Sequence, residues 1–209
     1  PFEAYRINVF GTKNIAEIAK SLKVPLILIS TGAVFNGSLQ TIFSEDDSPN
    51  PQNIYGQTKA MAEEIVLSSS PQNLVVRTGW LFGFSNKKDG FSGFLEKAIT
   101  SLRENLPLKA TSDQKGSPTY VEDFVNSLSH AIKYGKTGTI HLVNEGGASA
   151  FEILSHMKVH LNSNSELVAV SLADMQGPQR SASEVLNSKT ILSSWKNVLE
   201  RYLRERVNG

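Results

Sequence analysis

Two short, continuously apolar runs, Leu26-Ile27-Leu28-Ile29 and Leu74-Val75-Val76, constrain this chain more than any other feature. A run of this kind suits a strand of a parallel sheet buried on both faces. Each run follows a stretch with helical spacing. Ile7, Gly11, Ile15, Ile18, Ala19 and Leu22 share one face before the first, and Ala60, Ala62, Ile65 and Val66 precede the second. Helix, strand, helix, strand is the order of a doubly wound α/β sheet, since parallel strands need a crossover between them. The later chain continues in kind. Phe91, Phe94, Leu95, Ala98, Ile99 and Leu102 predict a helix, and 106–110 a short strand. Thr119-x-x-Glu122 reads as a capping box opening a helix with Phe124, Val125, Leu128, Ala131 and Ile132 on its apolar face. A strand at 139–143, a helix capped by Ser149-x-x-Glu152 and a strand at 167–170 follow. Terminal helices are expected to bury Ile191, Leu192, Trp195, Leu199 and Leu203.

Composition narrows the function by exclusion. The net charge of +1, without a basic block, gives no push toward nucleic acid or a membrane surface. No cysteine means no disulfide framework, thiolate metal site or thiol nucleophile. No apolar run approaches the roughly 18 residues of a membrane span, so a cytoplasmic protein is expected. His156 and His160 stand four apart on a helix without a third ligand, which reads as a solvated face and no metal site. Glu45-Asp46-Asp47 reads as a solvated loop, and Lys196, Arg201, Arg204 and Arg206, interleaved with Glu200 and Glu205, as an exposed, ion-paired helix face.

Two places carry chemistry. In open parallel sheets ligands bind beyond the carboxyl ends of the strands, which is where Ser30 and Thr31 fall. Tyr55 and Lys59 are four residues apart at the start of a helix and so share a face. A phenol titrates near pH 10, and a neighbouring ammonium favours its ionised form. The pair is suited to donate or accept the proton of a carbonyl–alcohol interconversion.

Four segments then stand in order: Ile29-Ser30-Thr31-x-x-Val34-Phe35-x-Gly37, Pro51-x-x-x-Tyr55-Gly56-x-Thr58-Lys59-x-x-x-Glu63, Arg77-Thr78-x-Trp80-Leu81-Phe82-Gly83 and Asp113-Gln114-x-Gly116-Ser117-Pro118-Thr119. Together they resemble the extended short-chain dehydrogenase/reductases, and within them the dTDP-4-dehydrorhamnose reductase branch. The resemblance implies a partial Rossmann-type doubly wound sheet, from 1–83 and 117–147, and a smaller C-terminal α/β substrate-binding region, from 84–116 and 148–209. It implies reduction of the 4-keto group of a dTDP-4-keto-6-deoxy sugar with NADPH or NADH, and it allows a Mg2+ ion and a homodimer. Tyr55 would be the proton donor, Lys59 would hold the nicotinamide ribose, and Ser30 would lie at the cofactor. Thr31 would hydrogen-bond the carbonyl, Trp80 would contact the sugar and Arg180 the diphosphate.

Three departures stand against the pattern. Gly32-Ala33 replaces an expected Asp-Tyr, which predicts a wider, less polar sugar pocket, and Ser181 follows Arg180 where proline is usual. The glycine-rich turn that cradles a dinucleotide pyrophosphate is not among these residues, so upstream chain is expected, without which NADPH binding would be negligible and a strand edge exposed. The alternatives are a sugar-nucleotide epimerase and a non-catalytic binding protein similar to the regulatory β subunit of methionine adenosyltransferase.

Overall fold

The structure, a computed structural model, describes residues 2–83, 93–175 and 177–208. The loop expected over Asn86-Lys87-Lys88-Asp89-Gly90 and the contribution of Phe91 to a helix lie outside them. The chain opens on α1 (Phe2–Tyr5), a π-helical stretch over Arg6–Gly11 and α2 (Thr12–Leu22). It continues through β1 (Ile27–Thr31), β2 (Ile42–Phe43), α3 (Ile54–Ser69), β3 (Leu74–Thr78) and β4 (Trp80–Phe82). Then come α4 (Phe94–Arg103), β5 (Leu108–Thr111), β6 (Lys115–Gly116), β7 (Pro118–Tyr120), α5 (Val121–Lys133) and β8 (Gly138–His141). β9 (Ala148–Ser149), α6 (Ala150–His160), β10 (Leu167–Val170), β11 (Val185–Leu186) and α7 (Trp195–Asn208) complete it.

β1, β3 and β8 form a parallel sheet in that order, with Ile29 opposite Val76 and Val76 opposite Ile140. β3 lies in the middle and is buried along its whole length, as its apolar run predicts. β1 is an edge strand among the described residues, and Ile29 is 37% exposed, so the expectation of burial on both faces fails there. Burial needs a neighbour on each side of the strand, and among the described residues β1 has one on the β3 side alone. The first helices also turn over the predicted face. Val9, Ala16 and Ala19 are buried, while Ile7, Ile15, Ile18 and Leu22 are exposed.

A second core gathers Leu102, Leu154, Met157, Leu199 and Leu203 between α4, α6 and α7, against the parallel pair β5 and β10. The short pairs β2–β11, β4–β7 and β6–β9 stitch distant segments together. Ser149 forms the expected capping box with Glu152. Thr119 does not cap: it is buried inside β7, its hydroxyl donates to the Ser117 carbonyl, and α5 starts without a side-chain cap. Ile191 is 93% exposed, because regular helix begins only at Trp195.

The charged segments are more engaged than a solvated reading allows. The Glu45 side chain is buried and accepts from the His141 N–H (3.0 Å), which lets the 38–53 loop close against β8. Arg201 pairs with Asp123, Arg206 with Glu96, and His156 with Glu200 (3.0 Å), so the α7 charges bridge elements. No helix of the described residues is long and apolar enough to cross a membrane.

Candidate functional site

Thr31 ends β1 at the carboxyl edge of the sheet. Its Oγ1 accepts from the Ala33 N–H (3.1 Å) and caps the tight helical turn Gly32–Val34. A hydroxyl that accepts still carries its own proton to donate. Ser30 faces the other way, since successive strand residues point to opposite sides. It is buried and its hydroxyl donates to Glu63 of α3. The pleat directs the Ser30 side chain into the interior, where it ties α3 to the sheet. Arg77 of β3 completes the tie, through Nε to both Glu63 oxygens (3.1 Å each) and Nη2 to Oε2 (2.7 Å).

Tyr55 stands in the first turn of α3 and is 52% exposed. Asn53 caps this helix by accepting from the Gly56 N–H (2.9 Å), and its Nδ2 donates to the Gln179 carbonyl (3.0 Å). The start of α3 is thereby joined to the segment that carries Arg180. Gly56 makes a second join, for a Cβ here would lie 2.1 Å from the Ala33 carbonyl oxygen. Only glycine lets the backbone come so close. The helix that presents Tyr55 therefore rests on the turn that follows Thr31.

Lys59 lies one turn further along the same face, and its Nζ donates to the Ile29 carbonyl (2.6 Å). Burial holds its pKa below the usual lysine range, opposed by the Glu63 charge. An ammonium has three donors, so two remain after that bond. These donors and the exposed Tyr55 phenol, on one face of α3, are the groups that could hold a ribose of a bound cofactor. Among the described residues no glycine-rich helix start stands ready for the pyrophosphate. Nor does any group of three or more His, Asp or Glu among them converge on a metal-sized site, so the Mg2+ allowed by resemblance has no ligand set here.

Trp80 and Arg180 line one cavity of about 770 Å³, with Asp113, Gln114, Ala173 and Tyr202. Asp113 accepts from Ser171 Oγ and Leu172 N (2.6 Å each), which hold its carboxyl below the usual range and fix the wall at 171–174. Ser181 accepts from the Gly37 N–H (2.9 Å), anchoring the residue next to Arg180. Thr31, Tyr55 and Lys59 are not among the residues lining this cavity. The expected residues thus form two groups, at the strand end and in the cavity.

Glu184, which no sequence signal singled out, lies against the turn after Thr31 and outside the cavity lining. A Cβ on Gly32 would lie 2.6 Å from the Glu184 carbonyl oxygen, so the space vacated by a missing side chain is occupied. Burial pushes the Glu184 carboxyl up, against the Arg180 charge and a hydrogen bond with Trp80. No local pattern marks Glu184. Glu63 and Arg77 did leave a trace, as charges within a helix face and a strand that otherwise read as buried.

The family model described as the RmlD substrate binding domain matches residues 1–207. Spore coat polysaccharide biosynthesis protein SpsK of Bacillus subtilis is 28% identical over 99% of this chain and 74% of its own length. The dTDP-4-dehydrorhamnose reductase of Mycolicibacterium smegmatis is 34% identical over 73% of this chain and 46% of its own. The chain thus spans between about half and three quarters of these relatives. A crystal structure of dTDP-4-dehydrorhamnose reductase from Bacillus anthracis in complex with NADP matches with TM-score 0.87 and 29% identity, over 96% of this chain and 73% of that one. A dTDP-glucose 4,6-dehydratase from the same organism, at 16% identity and TM-score 0.82, shares the fold. The strand-end Thr31, the Tyr55–Lys59 helix and the matched length agree: the chain belongs to the RmlD substrate-binding-domain family, within the extended short-chain dehydrogenase/reductases.

Proposed function

We propose that this protein reduces the 4-keto group of a dTDP-4-keto-6-deoxy sugar with NADPH in the cytoplasm, as the last step of dTDP-L-rhamnose synthesis. The observation that carries the reading is the seating of Gly56 on Ala33, which sets the first turn of α3, where Tyr55 stands, against the turn after Thr31. Relatives and a solved structure bearing the reductase name, the latter with NADP, support the substrate and cofactor classes. Thr31 donates its hydroxyl proton in a hydrogen bond to the C4 carbonyl oxygen and orients it. Bound NADPH supplies the hydride that ends on C4. The Tyr55 phenol gives its proton to the C4 oxygen as charge develops there, so the carbonyl becomes a secondary alcohol. Lys59 places positive charge beside the phenol and offers its two remaining N–H donors to the nicotinamide ribose. Trp80 contacts the sugar, and the planar fork of Arg180 suits diphosphate oxygens. The sugar-binding region is 84–116 with 148–209.

The test is NADPH oxidation, followed by absorbance, with dTDP-4-keto-6-deoxy-L-mannose and protein expressed from its complete coding sequence. Turnover is expected. Tight binding of dTDP-L-rhamnose with no NADPH oxidation would overturn the reading in favour of a non-catalytic binding protein.

A further inference from the structure

The turn after the strand-end hydroxyl carries no polar side chain: Gly32 has none and Ala33 has a methyl, and both are buried. A reductase of a hydroxyl-rich sugar needs a hydrogen-bond partner near the carbonyl, because a site lacking one accepts deoxy analogues about as well. The chain reaches that place from another element. Glu184 packs its backbone on Gly32, with its Cβ 3.3 Å from where a Gly32 Cβ would stand. Its N–H donates to the Lys115 carbonyl (2.9 Å) and the preceding Ser183 N–H to the Gly37 carbonyl (3.1 Å), so the backbone beneath the side chain is pinned on two sides. The carboxyl is partly buried, and the groups acting on it are Trp80 and Arg180, both of which line the cavity. Glu184 is not itself among the residues lining the cavity; its backbone lies on the turn after Thr31, and its carboxyl neighbours Trp80 and Arg180, which do line it.

We infer that Glu184 reads the sugar: its carboxylate accepts a hydrogen bond from a ring hydroxyl adjacent to the reacting carbonyl, the contact that Gly32 and Ala33 cannot make. This rests on the nucleotide-sugar reading of the site above. It assigns specificity to Glu184, and leaves the nucleotide to the cavity and Arg180. An analogue lacking that hydroxyl would leave a partly buried carboxylate without its partner.

Calorimetry with two probes, dTDP and dTDP-L-rhamnose, separates the roles in wild type, Glu184→Gln and Glu184→Ala. Glu184→Ala is expected to weaken dTDP-L-rhamnose by about tenfold or more, as loss of a hydrogen bond to a charged group does. Glu184→Gln, which keeps an acceptor without the charge, should fall between. Affinity for dTDP should hold or rise in both variants, since Arg180 loses a competing carboxylate, and that retention also shows that the variants fold. Equal losses for both probes would make Glu184 a structural or nucleotide-side residue, and unchanged dTDP-L-rhamnose binding would remove it from the sugar site. Either result overturns the inference while the nucleotide-sugar reading stands. Wild-type protein that binds neither probe overturns both.

Discussion

At the residue scale the site depends on single atoms. Tyr55 is mostly accessible, and its hydroxyl is the proton source in the proposed reduction. Tyr55→Phe keeps the ring and removes that proton, so kcat should fall by about 10²–10⁴ while dTDP-L-rhamnose binding is kept. Single-turnover and binding measurements on the variant check this, and undiminished turnover would exclude Tyr55 as the acid. Gly56 acts through geometry. Glycine→alanine there puts a methyl 2.1 Å from the Ala33 carbonyl oxygen, backbone against backbone, with no side chain able to swing away. Gly56→Ala should cost about 1–3 kcal/mol of stability, as overpacking does, and should lower kcat more than binding because the Tyr55 helix is displaced from Thr31. Urea unfolding and steady-state kinetics on one preparation read both effects.

At the scale of elements, the question is what holds α3 at the angle the site requires. The tie is an ion pair in the interior: Glu63 and Arg77 are 2% and 4% exposed, joined by three hydrogen bonds, with Ser30 as a third member. A pair this deep contributes little net stability once desolvation is counted, yet breaking it leaves a lone charge in the interior. Glu63→Gln should therefore destabilise by roughly 3–5 kcal/mol, whereas Glu63→Leu with Arg77→Met should recover much of that loss. Denaturant midpoints of wild type, single and double variants give the comparison. A double variant as unstable as the single would show that the packing of α3, and not the lone charge, sets the loss.

For the molecule as a whole, His141 links folding to pH. It ends β8, is fully buried, and its Nδ1 donates to the Asn187 carbonyl (2.8 Å). Burial holds its pKa below the ordinary imidazole value, against the pull of that hydrogen bond. In the unfolded chain it titrates near 6.5. Below that value the unfolded state binds a proton that the folded state refuses, so stability is complete above about pH 6.5 and falls as pH drops. His141→Gln should be less stable at pH 7.5 yet show a shallower decline between about pH 6.5 and 5. Urea midpoints across that range test it, and identical slopes would assign the acid sensitivity to other groups. Asp113, held low by Ser171 and Leu172, adds its own loss at more acid pH.

Local signals carried a good deal of this. The apolar runs and helical spacings determined the alternating α/β order, because strand and helix periods are written in neighbouring residues. The Tyr55–Lys59 spacing determined that the two side chains share a face, and the order of motifs pointed to the family. Tertiary structure decided the rest. Whether a strand is buried on both faces depends on its neighbours, and among the described residues β1 stands at an edge where β3 does not. Which face of α2 is buried, and that Glu45 closes a loop onto His141, depend on what the fold sets opposite them. Ser30 and Thr31 read alike in sequence, and only the pleat sends one hydroxyl into the interior and leaves the other at the strand end. Glu184 is 152 residues beyond Gly32 along the chain, and no periodicity spans such a distance. Only the folded backbone, by closing on a position with no side chain, brings that residue against the turn after Thr31.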